Sequence, residues 1–423
     1  MKISVIGGGY VGLISASGLA ECGHDVTIIE IDADKVDMIN NAQPPIFEYN
    51  LKELLNKYVG KSLIASTSYE SIAESEVSLI CVGTPSLPDG SADISYILSA
   101  AQQIGDMRKT QSNFHVVTVK STVPPGTTKN FVLPAVLKQS EKQHGQIGFA
   151  VNPEFLREGR ALEDFLHPDR IVIGSEDNKS GEIIEKMYSG LDAPVLRTHL
   201  TAAEMIKYTS NALLATKISF ANEIGNICKT LSVDVYDVMK GVGMDHRLSP
   251  HFLNAGCGFG GSCFPKDVSA LASIAKDIGE EPHLLNAVLQ VNKNQPLKMI
   301  SLLEAKTGNL SQKKIAVLGL AFKDFTDDIR ESRAITIIQS LLRKGAIVSA
   351  YDPMANENMK EIFPEIIYCT NARSALIDAD GCLVVTEWPE FSDLNEEFHV
   401  MKRQIIIDGR RILQKGIAEG ICW

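Results

Sequence analysis

The stretch KISVIGGGYVG, Lys2 to Gly12, is an apolar run that breaks into glycines. Lys2 to Ile6 reads as a buried strand. Gly7, Gly9 and Gly12 then stand at the G-x-G-x-x-G spacing of a strand-to-helix turn, where a backbone without side chains can approach a diphosphate. Val11 to Cys22 is apolar at helical spacing and runs to Gly23, a good helix terminator. A second strand, DVTIIE, follows and ends at Glu30, 18 residues beyond Gly12. A carboxylate there accepts the ribose hydroxyls of an adenosine and repels a 2'-phosphate, and no arginine follows in IDAD, so the expected cofactor is NAD rather than NADP. Strand, helix, strand and terminal acid together predict a doubly wound, Rossmann-like α/β half.

That half continues through two more apolar strands, VSLICVGTP and FHVVTVKSTVPPG. Ligands of such sheets lie at the carboxyl ends of strands, which makes Thr84 and Thr122 candidate contacts. Plain turn chemistry explains Thr-Pro and Ser-Thr before Pro-Pro equally well.

The pattern returns near the other end. KKIAVLGLAFK reads as a strand ending at Gly319, SRAITIIQSLLRKG as a helix ending at Gly345, and AIVSAYD as a strand ending at Asp352. The interval from Gly345 to Asp352 is seven positions, as it is from Gly23 to Glu30, and GCLVVTEWP answers SLICVGTP. The chain therefore predicts a second Rossmann-like domain. It lacks the full fingerprint and inserts AFKDFTDDIRES, whose Lys323 and Arg330 either aim at an anionic group or are solvated on a purely structural domain.

Between the halves, Thr201 to Thr230 is apolar at helical spacing and opens on Thr201-Ala-Ala-Glu204, read as a capping box. Unbroken, it would be about 45 Å long, enough to join two domains and offer a dimer surface. Lys207 and Asn211 share one face of it, placed to polarise an oxygen or simply to be solvated. The expected domains are 1–200, 201–308 and 309–423.

The loop GCGFGGSCFPKD, Gly256 to Asp267, sets Cys263 behind four glycines and ahead of a proline that opens a helix. A helix N-terminus with Lys266 nearby favours the thiolate, the nucleophilic form. The competing reading is a structural cysteine in a glycine-rich turn.

The whole composition limits the alternatives. A length of 423 residues implies two or three domains. With 41 basic against 52 acidic residues the net charge is -11, so nucleic acid is not an expected partner. The start shows no signal peptide and no run of 18 apolar residues occurs, which predicts a soluble, cytoplasmic protein without a membrane partner. Eight scattered cysteines without ligand spacing predict free thiols and no metal.

In order, GGGYVG, KSTVPPGT, NPEFLREG, FLHPDR, LTAAEMIKYTSN, GFGGSCFPKD and GLAFKDFTDDIRES resemble the motifs of the UDP-glucose/GDP-mannose dehydrogenase family over essentially the whole chain. The CFPKD form is similar to the branch that acts on UDP-glucose. The resemblance implies four-electron, NAD-dependent oxidation of a nucleotide sugar in a dimer or higher homo-oligomer. It assigns Cys263 as nucleophile and Lys207, Asn211 and Asp267 as polar groups around the sugar C6, with Glu154 and Thr122 holding a water. Glu154, Phe155, Leu156, Arg157 and Glu158 would bind the sugar nucleotide. So would Phe252, Leu253, Asn254, Ala255, Gly256, Gly260 and Lys323, with Arg247 reaching in from a partner subunit. Val11, Glu30, Lys35, Thr84, Thr122, Glu158, Lys266 and Arg330 would touch NAD. Glu30 stands where the family often has Asp, and Cys257 where it more often has an apolar residue or Pro. The rivals are a dehydrogenase of GDP-mannose or a UDP-N-acetyl sugar, a two-electron dehydrogenase, and a noncatalytic NAD-binding module.

Overall fold

The computed structural model describes residues 1–423, which form two compact units, Met1–Ser210 and Asn211–Trp423. The division falls inside the 31-residue helix Leu200–Thr230.

The first unit is built on an eight-stranded sheet. Its strands are β1 (Lys2–Ile6), β2 (Asp25–Ile29), β3 (Leu63–Ser66), β4 (Val77–Ile80), β5 (Val116–Val119), β6 (Gly148–Val151), β7 (Ile171–Ser175) and β8 (Val195–Thr198). Their order is β3-β2-β1-β4-β5-β6-β7-β8, with every pair parallel except β6 and β7. The strands read as continuous apolar runs because helices cover both faces. In β1 the alternation is still visible, since Ile3 and Val5 pack with Leu13 and Leu19 while Ile6 packs on the other side with Ile80, Ile97 and Ile104. The first helix, Tyr10–Glu21, ends before Gly23, whose φ of +85° makes the left-handed turn into β2.

The second unit carries β9 (Lys314–Leu318), β10 (Ile347–Tyr351), β11 (Ile367–Tyr368), β12 (Gly381–Val384), β13 (Ile406–Asp408) and β14 (Glu419–Gly420). These form an all-parallel sheet in the order β11-β10-β9-β12-β13-β14. Numbered within each unit, the first six strands of both sheets share the order 3-2-1-4-5-6, so both are Rossmann-like, joined in the chain by the long helix. Helices Phe264–Asp277 and His283–Thr307 precede this sheet, and Met299, Ile300 and Leu303 of the latter pack with Ile315, Val317 and Leu383.

One local expectation fails. The long helix starts at Leu200, and Glu204 does not fold back to cap it. Its buried carboxylate instead accepts hydrogen bonds from Gly126 N at 2.5 Å, Thr128 N at 2.8 Å and Thr128 Oγ1 at 2.6 Å. Three converging donors in the turn after β5 outcompete the single donor that a capping box would satisfy.

Candidate active site

The fingerprint glycines have separate physical reasons. Gly7 has a φ of +101°, and a Cβ on Gly12 would lie 1.9 Å from the Gly7 carbonyl oxygen. A Cβ on Gly9 would meet nothing within 4 Å. Gly9 is also the N-cap of Tyr10–Glu21 and offers no side-chain cap, so the first N–H groups of that helix are available to an anion. Glu30 is buried at the end of β2, where Oε2 accepts from Gly8 N at 2.7 Å and Oε1 from Asp32 N at 3.1 Å. A carboxylate has about four acceptor positions, so capacity remains for ribose hydroxyls. Thr84 and Thr122 do meet, as Thr84 Oγ1 donates to the Thr122 carbonyl at 2.9 Å across the ends of β4 and β5. Lys35 lies on the surface, 3.8 Å from Asp32.

The loop after β6 carries Glu154, buried and 2.8 Å from Lys207 Nζ. Burial pushes the Glu154 carboxyl up, but the Lys207 charge and hydrogen bond, the Leu156 N–H and the Lys120 charge outweigh it, and its pKa lies below the ordinary carboxylate value. Leu156 N donates to it at 2.6 Å. Phe155 is half-buried, with the Arg170 guanidinium 3.9 Å from its ring centroid. Arg157 points to the surface and pairs with Asp164 at 2.5 Å, and Glu158 is half-buried.

In the second unit Cys263 is the half-buried N-cap of helix Phe264–Asp277, with Pro265 in the first turn as expected. Ser262 Oγ is 3.5 Å from its sulfur. Asp267, one turn on, is fully enclosed and receives Asn211 Nδ2 at 2.6 Å and Lys266 Nζ at 2.6 Å. Lys266 therefore places its charge on Asp267, because a carboxylate buried this deeply needs charged and hydrogen-bonded partners. Lys207 and Asn211, four residues apart on one helix, each engage a buried carboxylate, which rules out a merely solvated stripe.

The glycines of the cysteine loop make room for other parts of the chain, backbone at Gly256 and Gly260 and the Asn292 side chain at Gly258. A Cβ on Gly256 would lie 2.5 Å from Gly409 O, one on Gly258 2.6 Å from Asn292 Oδ1, and one on Gly260 2.3 Å from Glu331 O. Hydrogen bonds stitch the loop at Gly256 N to Asn222 (2.7 Å), Cys257 N to Gly409 O (3.0 Å) and Gly261 N to Arg330 O (2.9 Å). Asn292 takes both backbone groups of Phe259, at 2.8 and 3.0 Å. Asn222 and Asn292 carried no sequence signal, since one asparagine on an amphipathic helix does not reveal its burial.

The outlying expected contacts are spread along the second unit. Phe252 is exposed with a φ of +64°, Leu253 and Ala255 are buried, and Asn254 is exposed. Arg247 pairs with Asp245 and Arg330 with Asp328, both at the surface, while Lys323 Nζ lies 6.0 Å from the Phe322 ring centroid. Asp352, the counterpart of Glu30, is already saturated. It accepts from Leu320 N, Ala321 N, Met354 N, Ala355 N and Trp388 Nε1, so Asp352 keeps no acceptor capacity for a ribose hydroxyl, whereas Glu30 does.

Three family models match in succession: the NAD binding domain of the UDP-glucose/GDP-mannose dehydrogenase family over residues 1–192, its central domain over 201–294 and its UDP binding domain over 316–415. The chain belongs to the UDP-glucose/GDP-mannose dehydrogenase family. Within that family it is 46% identical over 421 residues to the UDP-glucose 6-dehydrogenase AglM of Haloferax volcanii, covering 98% of each chain. It is 42% identical to the UDP-glucose 6-dehydrogenase TuaD of Bacillus subtilis, over 97% of this chain and 89% of the relative. The structure of a UDP-glucose dehydrogenase from Pyrobaculum islandicum superposes with a TM-score of 0.94 at 40% identity, covering 100% of this chain and 98% of that one. A UDP-D-ManNAc dehydrogenase from Pyrococcus horikoshii gives 0.89 at 28%, covering 100% and 99%. The protein is an NAD-dependent enzyme of this family that oxidises a nucleotide sugar, and the open Gly9, the uncapped helix start and Glu30 suit NAD. No helix is long and apolar enough to cross a membrane.

Proposed function

We propose that the protein oxidises UDP-glucose to UDP-glucuronate. The observation that carries the reading is Cys263 at the start of a helix whose first turn holds Lys266 and Asp267, with Asn211 of the long helix donating to Asp267. Converting a primary alcohol to a carboxylate removes four electrons, and NAD supplies the hydride acceptor for both steps. Balanced, UDP-glucose, two NAD+ and one water give UDP-glucuronate, two NADH and three protons. C6 loses its first hydride as its hydroxyl loses a proton, giving the aldehyde. The Cys263 thiolate adds to that carbonyl, and loss of the second hydride from the thiohemiacetal leaves a thioester that water cleaves back to the thiol. Lys207 and Asn211 stabilise the C6 oxygen as charge develops on it. Asp267, or a water held by Glu154 and Thr122, handles the protons.

The sugar nucleotide is assigned to Glu154–Glu158, Phe252–Gly256, Gly260 and Lys323, with Arg247 from a second subunit. NAD is assigned to the Gly7–Gly12 turn, Glu30, Lys35, Thr84, Thr122, Glu158, Lys266 and Arg330. The corresponding domains are 1–200 for NAD, 201–308 for dimerisation and 309–423 for the UDP-sugar, in a cytoplasmic homodimer. Relatives named as UDP-glucose 6-dehydrogenases at 46% and 42% identity support the sugar choice.

The test is the NADH formed per UDP-glucose consumed with NAD in excess, which is expected to be two. One would indicate a two-electron dehydrogenase, and none would move the assignment to GDP-mannose or a UDP-N-acetyl sugar. Cys263→Ser is expected to form no acid, and full turnover by that variant would remove the thioester mechanism.

A further inference from the structure

Lys120 follows β5 directly and is 4% exposed. Its ammonium donates to Asn152 Oδ1 at 3.0 Å and to the Tyr188 hydroxyl at 3.3 Å, with the Asn152 carbonyl at 3.5 Å. All three partners are neutral. The partners are themselves fixed, because Asn152 Nδ2 donates to Val172 O at 2.9 Å and Tyr188 Oη donates to Asn152 Oδ1 at 2.5 Å. A cation enclosed among neutral dipoles is expensive, and folds retain such a group where its field acts on something.

Asn152 begins the loop at the end of β6 and lies two residues before Glu154, while Thr122 lies two residues after Lys120. Lys207 touches Glu154 from the long helix, and Lys120, held on Asn152 two residues before Glu154, adds its charge from the end of β5. The other titratable groups here are Cys81, at the end of β4, Tyr188, and Cys22 beside Tyr188, whose thiol burial raises and so keeps neutral. Burial pushes the Cys81 thiol up to about 12 and raises the Tyr188 phenol too, so neither supplies a compensating negative charge near neutrality. No carboxylate is among the hydrogen-bond partners of Lys120.

We propose that Lys120 is a positioning residue of the reaction, whose charge, held by Asn152 and Tyr188 at the start of the loop that carries Glu154, readies Glu154 to order and deprotonate the attacking water. Lys120 touches no reacting atom in this role. The inference rests on the assignment of Glu154 to proton handling.

The experiment is the pH profile of kcat for three variants of the full-length enzyme. Lys120→Met removes the charge at similar length. Asn152→Asp leaves the lysine in place and cancels its field with an adjacent carboxylate. Tyr188→Phe removes one hydrogen bond and leaves the charge. The acidic limb is expected to move up by about half to one pH unit in the first two, a three- to tenfold loss of kcat below the limb, and to stay in place in the third. Affinity for NAD is expected within about twofold of the parent throughout. A limb unmoved in Asn152→Asp, or moved equally in Tyr188→Phe, would overturn the proposal even if Lys120→Met failed to fold.

Glu154→Gln separates the two ideas. If it keeps the parent's limb, the role of Glu154 in the reaction fails. Lys120 is then judged by melting temperature against pH, comparing Glu154 with the Glu154→Gln change in both the parent and the Lys120→Met backgrounds. A folded pKa below the unfolded one means that the stability from Glu154 is present above the unfolded pKa and lost as pH falls through the folded one. The midpoint of that loss is expected at higher pH without Lys120, and an identical midpoint would sink the inference.

Discussion

A methyl group at Gly12 would collide with the Gly7 carbonyl at 1.9 Å, whereas one at Gly9 would enter open space with φ and ψ of -71° and -170°, angles open to any L-residue. These residues look equivalent in the fingerprint, yet they answer to different constraints. Gly12→Ala is expected to cost about 1–3 kcal/mol through overpacking and to lower both the melting temperature and NAD affinity. Gly9→Ala is expected to melt like the parent but to bind NAD at least about tenfold more weakly, because its methyl group intrudes where the diphosphate approaches. Calorimetric titration with NAD beside thermal melting checks both. Parent-like NAD binding by Gly9→Ala would show that the diphosphate does not pass there. Glu30 and Asp352 show the same divergence, since matching positions in a sequence repeat carry one carboxylate with capacity left and one saturated by its own chain.

At the scale of elements, the strands and helices were legible because their apolar periodicity and terminating glycines agree. The strand Lys2–Ile6, the helix before Gly23 and the long helix ending at Thr230 lie within a residue or so of their expected bounds. The loops were not legible, because their partners are distant in the chain. Glu204 finds Gly126 and Thr128, and the cysteine loop finds Asn292, Arg330 and Gly409. Asn292 therefore has a specific expected effect. Asn292→Leu leaves both backbone groups of Phe259 without their partner, at a cost of about 1–3 kcal/mol for each buried group. Amide hydrogen exchange in 256–262 is expected to accelerate while exchange in β9, β12 and β13 stays at the parent rate, and unchanged exchange in the loop would show that the remaining stitches suffice.

At the scale of the whole molecule, the long helix exposes Leu213, Phe220 and Ile227 at 60%, 51% and 51%, seven residues apart and so along one stripe. A repeated apolar stripe on a charged chain supports the expected homodimer. Sedimentation at one concentration is expected to show a dimer for the parent and a monomer for Phe220→Glu, and the same dimer for both would place the interface elsewhere. Local sequence sufficed to determine the two Rossmann-like halves, the NAD fingerprint and the helix start at Cys263, because strand period, helix period and glycine punctuation act over a few residues. Tertiary structure alone decided which charges are buried and what they meet: Lys207 on Glu154, Asn211 and Lys266 on Asp267, and Lys120 among neutral groups. Burial depends on contacts between residues far apart in the chain, and the energy of a charge depends on burial more than on its neighbours in sequence.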